Sequence, residues 1–144
     1  MRSVGFTLLE ALIVTSVMVL LAGATWSGWR RCVEAWRVRE AAELLGAELA
    51  RARSLAVQAN RSVSVFVHPS ATAYGRAPAG TLPAVWRPLP PGVRVVGAPG
   101  LPVTFYSRCI AAPAGAYVLA ASSCRAKVVV APFGRIRWEW LRDE

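Results

Sequence analysis

The chain has 144 residues, which gives room for one domain plus an anchor, and its 55% hydrophobic content exceeds that of a usual small soluble domain. The formal net charge is +9, and the single histidine has no cysteine near it, which argues against a Cys/His metal site. The sequence shows no paired-carboxylate site, no nucleophile with a base and no phosphate-cradling glycine loop, so neither an enzyme nor a cofactor is expected.

The first predicted element is an apolar helix. Nineteen consecutive residues from Ala11 to Trp29 carry no charge. At 1.5 Å per residue they span about 28 Å, close to the thickness of the hydrocarbon layer of a bilayer, and we interpret them as membrane-spanning. Glu10 sits in this apolar context, where a carboxylate is costly unless it finds a partner.

The first ten residues, M-R-S-V-G-F-T-L-L-E, resemble the class III signal of type IV prepilins. In that signal a short basic leader ends in glycine, a phenylalanine follows, and a glutamate comes four residues later. The resemblance implies cleavage by prepilin peptidase between Gly5 and Phe6 and N-methylation of Phe6. It also implies a filament of pilin subunits in which Glu10 neutralises the terminal amine of a neighbour. Before assembly the chain would span the inner membrane once, with its C-terminal domain in the periplasm.

Two other interpretations of this segment stay open. Residues 22–24 have the A-x-A pattern of an ordinary signal-peptidase site, although Glu10 argues against a conventional secretory signal. A plain single-span anchor is the other. Arg30 and Arg31 lie on the side that must cross the membrane while Arg2 stays inside, so the predicted orientation rests on the motif and not on charge.

The helical pattern continues beyond the membrane segment to about Gln58. Apolar residues recur at spacings of three and four, which predicts an amphipathic helix. They are Val38, Ala41, Leu45, Leu49, Ala52 and Ala56. The predicted organisation is a leader over residues 1–5, a transmembrane helix over 6–29, its amphipathic continuation over 30–60 and a periplasmic β domain over 61–144.

The β domain is predicted from short β-branched runs broken by proline and glycine. The predicted strands are Val63–Val67, Val93–Val96, Val103–Tyr106, Tyr117–Ala120, Lys127–Val130 and Arg135–Trp140. The stretch from Pro69 to Gly92 is predicted to be a long loop with at most a short strand near Trp86. The expected fold is therefore α+β and type IV pilin-like, with a long N-terminal helix packed on an antiparallel β-sheet domain.

Three segments of the soluble part resemble the FimT/GspH class of minor pilins and pseudopilins. They are A-E-L-A-R-A-R-S-L-A-V-Q-A-N-R followed by S-V-S-V-F-V, then L-P-V-T-F-Y, and the closing C-R-A-K-V-V-V-A-P-F-G-R-I-R-W. In this class, FimT-like members belong to type IV pili and some are implicated in DNA uptake. GspH-like members of a type II secretion system have a structural role in the pseudopilus. The resemblance thus implies a FimT-like minor pilin or, as the alternative, a GspH-like pseudopilin.

The DNA-binding members carry a C-terminal G-R-x-R motif, and here residues 134–137 read G-R-I-R. In an alternating strand Arg135 and Arg137 point to one face, roughly 7 Å apart. Arg125 and Lys127 have the same spacing on the expected hairpin partner. The resemblance implies a phosphate-binding patch for double-stranded DNA with salt-dependent affinity. The alternative is a solvated strand face without a ligand.

The charge of the β domain agrees with an anionic partner. Residues 61–144 contain ten Arg or Lys and three Asp or Glu, a net charge of +7. Simple solubility in an arginine-rich protein would give the same imbalance. Trp138 and Trp140 share one face and, depending on the strand register, could either stack on bases or pack in the core.

Three cysteines are present in the chain. In an exported domain Cys109 and Cys124 are expected to form a disulfide that closes a loop of about 16 residues and contributes roughly 3 kcal/mol. Cys32 is then the unpaired cysteine.

Overall fold

The computed structural model of the chain describes residues 7–141, without the side chains of residues 24–27. The predicted cleavage and methylation positions, Gly5 and Phe6, lie outside the described residues. The chain forms two compact units, Met1–Val33 and Glu34–Glu144.

The first helix, α1 (Leu8–Gln58), contributes to both units and ends where the sequence predicted. Nine strands follow it in the described part of the chain. They are β1 (Val63–Val67), β2 (Ala73–Pro78), β3 (Arg87–Pro88), β4 (Arg94–Gly97), β5 (Val103–Phe105), β6 (Ala111–Ala112), β7 (Gly115–Ala120), β8 (Arg125–Val130) and β9 (Ile136–Leu141).

In the first unit, α1 exposes an apolar surface on all sides. Leu8 is 85% exposed and Leu20 is 74% exposed, and the most apolar 18-residue window has a mean hydropathy of 2.1 with none of it buried. The hydroxyls of Thr15 and Ser16 donate to backbone oxygens of the same helix, at 3.0 Å and 2.7 Å, so they need no water. By length and composition this helix can cross a membrane.

In the second unit, α1 buries the face that its spacing predicted. Six apolar residues on that face have no exposed surface: Val38, Ala41, Leu45, Leu49, Ala52 and Ala56. They belong to one core cluster with inward-facing strand residues such as Phe105, Tyr117 and Val128. The apolar residues that repeat every 3.6 positions on the helix therefore pack against those that repeat every second position on the strands, in a single core.

The strands form two antiparallel sheets. The first sheet has the order β3-β2-β1-β5-β6, and the second has the order β4-β7-β8-β9. In the second sheet β8 pairs with β7 and with β9 over six residues each, from Arg125 to Val130. The expected α+β fold, with a helix packed on antiparallel sheet, is confirmed.

The predicted long loop from Pro69 to Gly92 is wrong in part, because it also contains β2, whereas β3 at Arg87–Pro88 is the short strand predicted near Trp86. The sequence of β2, Ala-Tyr-Gly-Arg-Ala-Pro, has no β-branched residue, and its pairing with β1 from Val63↔Pro78 to Val67↔Tyr74 holds it extended. A Cβ added at Gly75 would lie 2.8 Å from the side chain of Pro83, so the glycine permits this close approach.

Candidate functional site

The second sheet has one buried face and one outward face, and its cations lie on the outward face. Along β8, Ala126, Val128 and Val130 are buried. Because side chains alternate along a strand, Arg125 and Lys127 lie on the opposite face. The hairpin pairing that the sequence predicted for these two residues is thus present.

Strand β9 brings the motif arginines to the same face. Arg137 lies opposite Val129 of β8, and Ile136 lies opposite the buried Val130. Arg135 and Arg137 line one shallow depression of about 220 Å³ together with Val129 and Ala131. The structure therefore gathers all four predicted cations on one surface.

A fifth cation on this surface, Arg94, was missed by the sequence reasoning. Arg94 of β4 is opposite Ala120 of β7, and Ala120 is opposite Arg125 of β8. Two strand spacings separate Arg94 from Arg125, roughly 10 Å. We call Arg94, Arg125, Lys127, Arg135 and Arg137 the cationic face. Only the strand order reveals the fifth member, because 27 residues of sequence separate the end of β4 from the start of β8.

One carboxylate interrupts the cationic face within residues 7–141. Glu139 lies directly opposite Lys127 in the β8–β9 register. The Cβ atoms of such cross-strand pairs are about 5 Å apart, close enough for the carboxylate to lower the positive potential at Lys127. The positive charge of the face is therefore strongest around Arg137 and Arg135, which are the next two outward-facing residues along the chain from Glu139 toward the hairpin turn.

The glycine of the motif is required by the turn between β8 and β9. Gly134 has φ +70°, and its N–H donates to the carbonyl of Ala131 at 2.8 Å, while the Ala131 N–H donates to the carbonyl of Arg135 at 2.9 Å. This is the pattern of a short hairpin loop that closes on a left-handed glycine. A Cβ at Gly134 would also lie 3.0 Å from both the Cys109 carbonyl oxygen and Arg53 Nε.

The tip of this hairpin is tied to the rest of the second unit. Arg53 of α1 donates from Nη1 to the Gly134 carbonyl at 3.2 Å. From the first sheet, the Ala111 N–H donates to the Pro132 carbonyl at 2.8 Å. These bonds fix the start of β9, and with it the position of Arg135.

The two C-terminal tryptophans lie on the side away from the cationic face. Trp138 is opposite Val128 and Trp140 is opposite Ala126, both buried residues. Trp138 packs against the core cluster, its ring 6.0 Å below the guanidinium carbon of Arg39, and the two indole rings meet edge to face at 5.7 Å. They therefore support β9 and do not lie beside the motif arginines.

Two arginines of the β domain share one carboxylate of the helix. Glu48 of α1 has a side chain only 5% exposed and forms ion pairs with Arg76 of β2 and with Arg87 of β3, the latter at 3.4 Å. Burial, followed by the negative charge of Glu48, raises the pKa of the neighbouring Tyr74 hydroxyl. These ion pairs hold the first sheet to the helix.

The predicted Cys109–Cys124 disulfide is not formed in the structure, where both thiols are free. Cys124 lies at the β7–β8 turn, and Cys109 lies beside the β8–β9 turn next to Gly134. The six residues of β8 separate the two turns by about 20 Å, whereas a disulfide needs Cα atoms within about 7 Å. In the described part of the chain, no group of three or more His, Cys, Asp or Glu side chains is placed to hold a metal ion.

Glu10 occupies a helix-capping position. Its N–H donates to Thr7 Oγ1 at 3.3 Å, and the Ala11 N–H donates to the Thr7 carbonyl at 3.2 Å. Threonine followed three residues later by glutamate is the sequence of a capping box, of which the bond to the threonine hydroxyl is present, and a carboxylate in the first turn is favoured by the helix dipole. The sequence reasoning did not identify this role, although the T-x-x-E spacing indicates it.

Residues 41–134 match the family model described as "Type II transport protein GspH". The chain belongs to the GspH family. Its members are structural subunits of pili and pseudopili and not enzymes. The predicted resemblance to the FimT/GspH class is thereby confirmed, and the apolar N-terminal helix of this family member agrees with membrane anchoring and assembly with other pilin subunits.

Two solved structures have the same fold as this GspH-family chain. Both are crystal structures of the type IV minor pilin FimU of Pseudomonas aeruginosa, each 19% identical in sequence. One has a TM-score of 0.57 and the match covers 70% of this chain and 91% of FimU; for the other the values are 0.59, 71% and 87%. No curated protein matches the sequence.

Proposed function

We propose that this chain is a minor pilin of a type IV pilus that binds double-stranded DNA without sequence preference through its cationic face. The observation that carries the proposal is the gathering of five Arg or Lys side chains on one outward sheet face, with Glu139 as its one carboxylate among the described residues.

The geometry of this face suits a phosphate backbone. Arginines two residues apart on a strand are about 7 Å apart, which allows Arg135 and Arg137 to meet successive phosphates. Guanidinium groups bind phosphate oxygens through paired hydrogen bonds. Contacts between these cations and the phosphate backbone position DNA without reading its sequence.

The proposal includes the assembly pathway that the N-terminal segment implies. Prepilin peptidase cleaves between Gly5 and Phe6, Phe6 is N-methylated, and Glu10 pairs with the terminal amine of a neighbouring subunit. The exposed apolar surface of α1 supports this pathway, because such a surface needs lipid before assembly and other helices afterwards. The subunit is then held in the inner membrane with its β domain in the periplasm.

A direct test measures DNA affinity of the full chain in non-ionic detergent at several salt concentrations. The Arg135→Ala, Arg137→Ala double variant should bind a duplex at least about tenfold more weakly, and the slope of log affinity against log salt should fall by about 2. The matched control removes two exposed cations from α1, Arg37 and Arg51, and should change the affinity much less. Equal binding by the motif variant and the wild type excludes DNA binding at this face.

The second candidate is a pseudopilin of a type II secretion system with a purely structural role, which the description of the matching family favours. A deletion strain separates the two. Loss of DNA uptake with intact secretion supports the type IV pilus, whereas loss of secretion with intact DNA uptake supports the pseudopilus.

A further inference from the structure

We propose that the tip of the β8–β9 hairpin binds an unpaired DNA base by stacking it on Phe133. This inference rests on the proposed function and extends it. The cationic face holds the phosphates of either DNA form, and the hairpin tip adds affinity where a strand is single, at a frayed end or an overhang.

Phe133 is the first reason for the proposal. Its side chain is 80% exposed, although a phenylalanine usually buries its ring. The ring is presented by a fixed turn. The Gly134 N–H donates to Ala131, the Ala131 N–H donates to Arg135, the Ala111 N–H donates to Pro132, and Arg53 donates to Gly134. A ring carried on a fixed backbone loses less conformational freedom on stacking than one carried on a mobile loop.

The surroundings of Phe133 are the second reason. The ring borders an open groove of about 670 Å³ between α1 and the hairpin, which is also lined by Arg53, Arg135, Val57 and Gln58. The charged side chains in the lining of this groove are both cations. An aromatic ring beside guanidinium groups is the arrangement with which proteins bind single-stranded nucleic acid, because the cations hold phosphates while the ring takes a base.

Arg135 connects the groove to the cationic face. It lines the groove with Phe133, and it lines the shallow depression on the outward face with Arg137. A DNA strand whose phosphates follow Arg137 and Arg135 is therefore led to the hairpin tip. A base that is still paired cannot turn its flat face to the ring, so the ring discriminates between single and double strands.

The test compares a single-stranded oligonucleotide containing 2-aminopurine with a closed circular duplex, both binding to the full chain in non-ionic detergent. Phe133→Ala should weaken single-strand binding about tenfold and remove the change in 2-aminopurine fluorescence, while duplex binding stays unchanged. Phe133→Trp should restore both signals. The matched control, Leu82→Ala, truncates another side chain that is 78% exposed and should affect neither DNA.

The arginine double variant makes the two possible failures distinguishable. If Arg135→Ala, Arg137→Ala leaves both DNA forms bound as in the wild type, the proposed function itself fails. If that variant loses both forms but Phe133→Ala binds single strands normally, the stacking proposal is overturned and the DNA-binding function stands. A Phe133→Ala chain that binds both DNA forms normally but no longer enters filaments shows that the ring contacts a neighbouring subunit, which also overturns the proposal.

Discussion

Arg76 in the first sheet and Arg137 in the second are the same residue type on the same kind of antiparallel strand, but their surroundings differ. Arg76 meets the buried carboxylate of Glu48, with Arg87 as a second partner. Arg137 lies among other cations on an outward face. The side of the sheet makes the difference, because Arg76 reaches Glu48 of the helix, whereas Arg137 lies on the face that points away from the core.

This comparison shows what a net charge can and cannot indicate. The +7 of residues 61–144 counts Arg76 and Arg87 equally with the members of the cationic face. Glu48, which lies outside that range, pairs with both of these cations and offsets one of their two charges. What attracts an anion is the local arrangement of charge, and it depends on residues distant in sequence.

The largest predicted effect is on stability and concerns the first sheet. Replacing Glu48 by leucine leaves Arg76, whose side chain is 25% exposed, without its buried partner. We expect the free energy of unfolding to fall by about 2–3 kcal/mol, measured by urea denaturation of the full chain in detergent. The folded variant should bind DNA with the affinity of the wild type, because the cationic face is untouched.

Glu43→Gln is the matched control for that prediction. Glu43 forms an exposed ion pair with Arg39 at 2.8 Å, and its loss should cost only about 0.3–0.5 kcal/mol. If Glu48→Leu costs no more than Glu43→Gln, the buried pair does not hold the first sheet to the helix. In that case the arginines of the first sheet would have no greater structural role than an exposed ion pair.

Much of the fold could be predicted from local sequence pattern. The features that could not be predicted depend on which strands pair with each other. The buried positions of α1 from Val38 to Ala56 follow from helical spacing, and β1 was predicted with its observed ends. Strand β2 was missed because its residues have low strand propensity and only the pairing with β1 extends them. The disulfide was expected from compartment and loop length alone, and neither indicates that a strand separates Cys109 from Cys124.

The candidate site divides in the same way. The sequence predicted that Arg135 and Arg137 share a face, because side chains alternate along a strand and this rule is local. The same rule applies to Arg125 and Lys127. Arg94 and the position of Glu139 opposite Lys127 depend on strand order and register, which the sequence does not state. The capping box at Thr7 was readable from spacing and was overlooked.

Arg94 gives the next test of the contrast between the sheets. Arg94→Gln removes a cation from the cationic face, whereas Arg87→Gln removes a cation that pairs with Glu48. We expect Arg94→Gln to lower the salt slope of DNA binding by about 1 and to weaken binding about threefold, and Arg87→Gln to change neither. Equal losses for both variants would mean that total charge, and not the face, governs binding.

The smallest predicted effect has the opposite sign. Glu139→Gln removes the carboxylate opposite Lys127 and keeps the shape of the side chain. If phosphates lie on the cationic face, the affinity for duplex DNA should rise by about two- to threefold at low salt, because one unfavourable interaction with phosphate is removed and Lys127 gains potential. The control is Glu40→Gln, which neutralises an exposed carboxylate of α1 and changes the net charge equally. A gain confined to Glu139→Gln places the DNA against β8 and β9, since a general charge effect would raise the affinity of both variants alike.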